Sequence, residues 1–445
     1  MSCFELAPHR LPPSPEVLAR LFERYSRDTR DERVTFAEFL QREGCACPVD
    51  RGHRSGMEDG QLLRIGSGPQ LVSTPAHPVR GSLVVKVLLV DFPDLEGTTP
   101  PSHYEQLLFS RSAHATGSMR DYFAEVSLGQ VDVQGSVDGW LRMPQPYAYY
   151  VGGESGLGAM AYPRDARGLA EHAVQAAIEQ GVCFDDALDP FGEGTIAALF
   201  IVHAGVGAEV QLDARARRAN LWSHKWQMVR PVEIRPGLVA HRYLTVPHDC
   251  SLGVCAHELG HLAFQWEDFY DPNGSRDGRE WDGSGRWDLM ASGSYNGESR
   301  SPAHPAALHK LQHGWIEVER IDASQRVVLD PYTATTGKAV EIVSTRYREG
   351  QRLVLENRAR LGFDAALPGE GLLVWRYDRS KTQDGPDEPA LLLLQADGRR
   401  DLERAESPAR WNDGDAGDPF PGASHRTTLR DAGLVSTSFP GGDPS

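Results

Sequence analysis

Two stretches of nearly uninterrupted aliphatic residues stand out along the chain: SLVVKVLLVDF at 82–92 and TIAALFIVHAG at 195–205. Runs without polar alternation suit strands covered on both faces. Between them, SMRDYFAEVS and DARGLAEHAVQAAIEQ carry apolar residues at helical spacing. Strands alternating with helices predict an α/β subdomain with a mixed sheet. A further apolar segment, SLGVCAHELGHLAF at 251–264, fits a helix with Ser251 as N-cap and Leu252, Leu259, Leu262 and Ala263 as a buried stripe. A loop rich in Asp and Gly follows at 271–297, then a short helix in SPAHPAALHKLQHGW that ends near Gly314. Beyond about residue 320 the chain reads as β-rich, with RLVLENR, GLLVWRYD and ALLLLQAD as strands. The first 80 residues differ: a charged helical stretch, PSPEVLARLFERYSRDTRDERVTFAEFLQREG, precedes a Gly- and Pro-punctuated linker near 66–78. The expected division is 1–80, 81–320 and 321–445.

Composition narrows the function classes. The 445 residues are 40% hydrophobic and 24% charged, as in ordinary globular proteins, with a net charge of −16. That charge disfavours nucleic acid and anionic membranes as partners and is compatible with bound Ca²⁺. No apolar run is long enough for a membrane span, and the first residues, MSCFELAPHRLPPSPEVL, lack the apolar core of a secretory signal. Taken alone, this predicts a cytoplasmic protein or export by a non-classical route. Six cysteines, Cys3, Cys45, Cys47, Cys183, Cys250 and Cys255, are too few and scattered for a disulfide scaffold. Cys250 and Cys255 are near enough in sequence to bridge if geometry allows.

The segment CAHELGHLAFQWEDFYD at 255–271 carries the chemistry. Residues four apart share a helix face, so His257 and His261 direct their imidazoles at one point. Two imidazole nitrogens and one further ligand suit a catalytic Zn²⁺ with an open position. Glu258 stands beside the first histidine, where a carboxylate can take a proton from a water nucleophile. This is the H-E-x-x-H arrangement of metalloproteases. A structural helix that happens to carry two histidines is the plainer alternative. Against it stand the acidic run that follows and WDLMASGSYNG, a turn bearing Met290. Four carboxylates, Glu267, Asp268, Asp271 and Glu280, compete for the third ligand position. By bare spacing Glu267 lies six residues past His261, and Glu280 gives a longer, thermolysin-like interval.

With those motifs in place, the chain resembles the immune inhibitor A type of bacterial zinc metallopeptidases. LLVDFPD resembles the family's first strand, and SMRDYFAEVSLGQVDVQGSVDGW its following helix and hairpin. FIVHAGVGAEV and NLWSHKW are similar to the segments before the catalytic helix. HELGH, EDFYD and WDLMASGSYNG resemble the zinc motif, acidic turn and methionine turn. LENRARLGFDAALPGEGLLVWRYD and GDAGDPFPG resemble the C-terminal portion. The likeness spans about residues 80–425. It implies an α+β fold: a zincin-like catalytic domain, with a mixed twisted sheet and an active-site helix, and a β-rich C-terminal subdomain. It also implies a zinc endopeptidase acting on protein or peptide substrates, and a typically exported protein. Through the family's Asp-x-Tyr-Asp pattern it favours Asp268 as third ligand beside His257 and His261. Departures are Gln265 where the family has glycine, Glu267 before Asp268 where it has proline, and Arg376 where it often has histidine. Gln265 lacks glycine's freedom at positive φ, so a different chain reversal after the helix is expected.

Other candidates follow. Tyr295, five residues past Met290, can donate to an oxyanion or simply pack in its turn. His224 in NLWSHKW can reach the cleft or serve as a hydrogen-bonded structural histidine. Asp271, Asp277, Asp282 and Asp288, interleaved with Gly274, Gly278, Gly283 and Gly285, suit Ca²⁺ but lack EF-hand spacing; Asp413, Asp415 and Asp418 read similarly. The family's members are made as zymogens, so residues 1–80 can be a pro-segment covering the cleft, with Cys45 and Cys47 as candidate inhibitory thiolates. The alternative is a small stabilising or partner-binding unit. Two rivals to the endopeptidase remain: a narrow intracellular zinc peptidase or amidase, and a non-catalytic binding protein on the same fold.

Overall fold

The computed structural model describes residues 9–28, 34–45, 78–158, 161–271, 281–333, 335–381, 387, 389–403, 412–430, 432 and 435–439. The structure is mixed α/β, with two mixed sheets. The first contains β1 (His9–Arg10), β2 (Gly81–Asp91), β3 (Val131–Arg142), β4 (Leu199–His203), β5 (His224–Arg235) and β6 (Leu238–Pro247), in the order β1-β5-β6-β4-β2-β3. Strands β3, β2, β4 and β6 run parallel, whereas β5 is antiparallel to β6 and β1 is antiparallel to β5.

Among the described residues the α-helices are α1 (Pro15–Asp28), α2 (Phe36–Arg42), α3 (Pro101–Phe109), α4 (Met119–Val126), α5 (Tyr147–Val151), α6 (Ala166–Glu179), α7 (Ala214–Arg218), α8 (Leu252–Phe264) and α9 (Ala307–Gln312). The side-chain alternation of β2 explains the layering. Leu83, Val85, Val87 and Leu89 join one core with residues of α3, α4 and α8, while Leu88 and Val90 join another with α5 and α6. Both faces are covered, so the run contains almost no polar residue. One exception, Lys86, is buried and pairs with Asp138 at 2.6 Å.

Two expectations need correction. The stretch after α4 is not a hairpin: β3 is one strand along β2, with a register shift between Leu88 and Val90. Gly139, at φ +128°, sits opposite that shift. Helix α8 does not bury a stripe but every residue from Leu252 to Phe264, because core surrounds it. Cys250 and Cys255 are both buried free thiols, so no bridge forms between them.

The second sheet has the order β11-β10-β9-β8-β7, from β7 (Glu317–Ile321), β8 (Lys338–Ile342), β9 (Gln351–Arg358), β10 (Gly371–Asp378) and β11 (Leu391–Leu393). Alternate residues of β10 again serve two cores: Leu373, Trp375 and Tyr377 on one side, Val374 on the other. Near the N-terminus, α1 and α2 pack on one another through Val17, Leu18, Leu21, Phe22, Phe36, Phe39 and Leu40. A Thr35–Glu38 capping box starts α2. The linker expected near 66–78, together with Cys3 and Cys47, lies outside the described residues.

Candidate active site

Helix α8 leaves β6 through Ser251 and runs under the first sheet. Ser251 takes the N-cap position without a side-chain cap hydrogen bond. One turn apart on α8, His257 and His261 bring their Nε2 atoms to 3.1 Å. Each ring is held from behind. The Nδ1 of His257 faces the Leu289 carbonyl at 2.9 Å, and that of His261 faces the Trp266 carbonyl at 2.7 Å. A carbonyl only accepts, so both Nδ1 atoms carry the proton and both Nε2 lone pairs point into one space.

Asp268 completes the group. Its Oδ1 lies 3.3 Å from His257 Nε2 and 3.0 Å from His261 Nε2. Three electron-rich atoms this close call for a cation between them. Two imidazole nitrogens and one carboxylate oxygen, all buried, match the donor set of a zinc site with one coordination position open. Of the four competing carboxylates, Asp268 alone joins the histidines among the described residues; Glu280 lies outside them.

The acidic turn is placed by α8's ending. Gln265 closes the helix in the left-handed region, at φ +57° and ψ +36°, and Trp266 N bonds back to the Gly260 carbonyl at 3.0 Å. Glutamine here takes the left-handed conformation that glycine adopts more easily. The imidazole of His309 then stacks between Trp266 and Phe269, with centroids at 5.2 and 4.7 Å. The rings on either side of Asp268 are thereby clamped to α9.

Met290 lies beneath α8. A Cβ on Gly260 would stand 2.9 Å from its sulfur, so the turn fits closely only because residue 260 is glycine. The Met290 carbonyl also accepts from Phe269 N at 2.9 Å, tying the methionine turn to the acidic turn. Asp288 anchors that turn by accepting from the backbone N of Met290 and of Ala306, at 3.2 and 3.0 Å.

Glu258 is fully buried, and neither carboxylate oxygen has a hydrogen-bond partner among the described residues. Burial pushes its pKa well above the ordinary carboxylate value, and the charges of Asp268 and Glu209 add to the rise. Lys225 and the Leu11 backbone oppose it. Glu209 is itself buried, accepting from Ser223 Oγ at 2.6 Å, and its pKa is likewise raised by burial.

The profile of the family described as immune inhibitor A peptidase M6, catalytic domain, matches residues 84–320. The chain belongs to this peptidase family. Over 370 residues it is 29% identical to a protein named pre-pro-metalloprotease PrtV from Vibrio cholerae serotype O1, an alignment covering 67% of this chain and 39% of that protein. Over 344 residues it is 27% identical to Immune inhibitor A from Bacillus thuringiensis subsp. alesti, covering 66% of this chain and 49% of that one. The chain thus spans less than half the length of these relatives.

The other residues singled out in this peptidase-family chain are placed as follows. His224 is saturated, with Nδ1 2.7 Å from the Trp222 carbonyl and Nε2 3.2 Å from Tyr243 Oη; burial lowers its pKa to about 4. Tyr295 donates to the Pro12 carbonyl at 2.6 Å, a partner from the N-terminal residues. Arg376 bonds the Ser438 carbonyl at 2.9 Å, in the second sheet. Cys45 packs in the α1–α2 core rather than beside the histidines.

Asp277 lies outside the described residues, and Asp288 is committed to the methionine turn. A second acidic group, Asp397, Asp401 and Asp415, holds ligand atoms within 4.8 Å of one another and is half-buried. Of its members only Asp415 was singled out from sequence. Asp418 instead accepts from Trp287 Nε1 at 2.9 Å. No described helix is long and apolar enough to cross a membrane.

Sequence reasoning missed Glu209, Lys225, Trp222 and Tyr270 around the cleft. The polar and aromatic density of NLWSHKW and EDFYD hints at Trp222, Lys225 and Tyr270, whereas Glu209 lies in neither segment.

Proposed function

We propose that this chain is a zinc-dependent endopeptidase of the zincin type, cutting internal peptide bonds of proteins with water as the nucleophile. The observation that carries this reading is the convergence of His257 Nε2, His261 Nε2 and Asp268 Oδ1 beside an unsatisfied, buried Glu258. His257, His261 and Asp268 would hold the metal. Zinc bound there would supply Lewis acidity for the scissile carbonyl and lower the pKa of water. Glu258 would take the proton from the attacking water and return it to the departing amine, a role that a carboxylate with a raised pKa fits. The carbonyls of Leu289 and Trp266 would keep both histidines in the tautomer that leaves Nε2 free. Tyr295, whose phenol already reaches a peptide carbonyl, would donate to the carbonyl oxygen as it gains charge.

The test is hydrolysis of a quenched-fluorescent peptide library by the full chain before and after chelation. The reading expects activity to fall with the metal and to return on adding one equivalent of zinc. Hydrolysis that continues in fully metal-free protein would sink it.

A further inference from the structure

Residues 9–14 run along the edge of the first sheet, beside the aromatic side chains that flank the site. Strand β1 extends the edge of the first sheet, pairing His9 with Lys225 and Arg10 with His224. The contacts continue past it. Leu11 N donates to the Ser223 carbonyl at 3.1 Å, and Trp222 Nε1 donates to the Leu11 carbonyl at 2.7 Å. Tyr270 and Tyr295 donate their phenols to the carbonyls of Arg10 and Pro12. Ser14 N reaches the Glu209 carbonyl at 3.1 Å. Each successive carbonyl from Arg10 to Pro12 is therefore held by an aromatic side chain.

The side chains are read too. The Arg10 guanidinium lies 4.9 Å over the Trp222 ring. Leu11 is fully buried, in the same apolar core as Leu259, Leu262 and Met290. Glu258 lies within electrostatic reach of Asp268 and of Glu209, and Tyr270 within reach of Asp268, Arg10 and Glu258. Pro12 and Pro13 bring no N–H, so main-chain pairing to β5 stops after Leu11.

We propose that residues 10–12 occupy the peptide-binding groove in a substrate's place, and that the groove selects an extended peptide with a basic residue over Trp222 followed by a buried aliphatic residue where Leu11 lies. Pairing with the β5 edge supplies affinity independent of sequence, and the two side-chain sites supply preference. The aromatic face of Trp222 favours a cation at the first, and a closed apolar site favours leucine at the second. The N-terminal strip then competes in cis with any incoming peptide. This inference rests on the peptidase reading for its substrate, but its test does not depend on hydrolysis.

The experiment measures fluorescence polarisation of a labelled peptide of residues 7–14, APHRLPPS, with full-length protein carrying Glu258→Gln to prevent cutting. Receiving chains carry either the native strip or Arg10→Glu with Leu11→Asp, which displaces it. The displaced-strip chain is expected to bind the peptide at least tenfold more tightly than the native-strip chain. Peptides with Arg→Glu or Leu→Asp at the two positions should bind at least tenfold more weakly. Trp222→Ala in the displaced-strip chain should abolish the preference for arginine and leave that for leucine. If the double variant does not fold, Arg10→Ala with Leu11→Ala replaces it and the same comparison decides. Equal binding by both chains, or indifference to the leucine substitution, overturns the proposal. Binding as expected, with no hydrolysis by chains that retain Glu258 and carry zinc, would keep the groove and overturn the peptidase reading. Hydrolysis without the predicted preference would do the reverse.

Discussion

The Leu289 carbonyl lies 2.9 Å from the Nδ1 of His257, and through it the methionine turn fixes the tautomer of the first imidazole on α8. The Trp266 carbonyl does the same for His261 from the acidic turn. Main-chain atoms of two loops, not side chains, thus aim both histidines at Asp268, and the metal site depends on how those loops seat against the helix.

Asp268 is the carboxylate that meets both imidazoles. Asp268→Ala should lower zinc affinity at least tenfold, measured by competition with a chromogenic chelator. Glu267→Ala, one residue away and outside the cluster, should retain one zinc per chain. Equal losses in the two variants would contradict the assignment.

Gly253 sets the depth of α8. A Cβ there would fall 1.8 Å from the Ser294 carbonyl, in the turn that carries Tyr295. Because the obstacle is backbone, Gly253→Ala must shift the helix or the turn. We expect a loss of roughly 1–3 kcal/mol in urea unfolding. An unchanged midpoint would show that the turn yields freely.

Gln265 holds a left-handed conformation at φ +57°. Gln265→Gly should relieve that strain, partly offset by the greater freedom of glycine in the unfolded chain. A net gain of about 0.5–1 kcal/mol is expected. Thermal unfolding checks this, and a destabilised variant would mean that the glutamine side chain contributes packing that outweighs the strain.

Lys310 gives a stability that depends on pH. It is fully buried, with Nζ 2.9 Å from His304 Nδ1 and 3.7 Å from the Tyr332 ring centroid. Burial lowers its pKa to about 7, against 10.5 for an exposed lysine, although Glu356, Asp364 and Glu125 pull it up. Below pH 7 the native and unfolded chains both hold the proton, and the native state bears the whole burden of a buried charge. Between about 7 and 10.5 the unfolded state binds more protons, so stability rises with pH. The wild type should therefore gain on Lys310→Met as pH goes from 7 to 9.5 in urea titrations. Parallel curves would contradict the assignment.

The legible parts of the chain were those whose neighbours are local. Strands β2 and β4 announce themselves because burial on both faces removes every alternation, and α8 because its histidines stand one turn apart. Strands β5 and β6 did not, since in HKWQMVRPVEIR apolar and polar residues mix without a clean alternation, Pro231 interrupts the run and the second half is largely exposed. The hairpin that the resemblance implied after α4 is one strand, and nothing local reveals that Gly139 accommodates a register shift on β2. At the site, spacing brought out His257, Glu258 and His261, and family pattern favoured Asp268. The carbonyls that orient the imidazoles come from loops that only the folded chain brings behind the rings, and the union of Trp222, Tyr270 and Tyr295 on residues 10–12 joins segments hundreds of residues apart. No periodicity encodes such contacts.

The most direct test is a paired measurement of peptide turnover and bound zinc for the full chain and for Glu258→Ala, each with and without Leu11→Ala. The account predicts one zinc per chain in all four proteins. It also predicts hydrolysis that falls about 10²–10⁴-fold when Glu258 is lost. Equal rates with and without Glu258 in both backgrounds, zinc being bound in each, would contradict it.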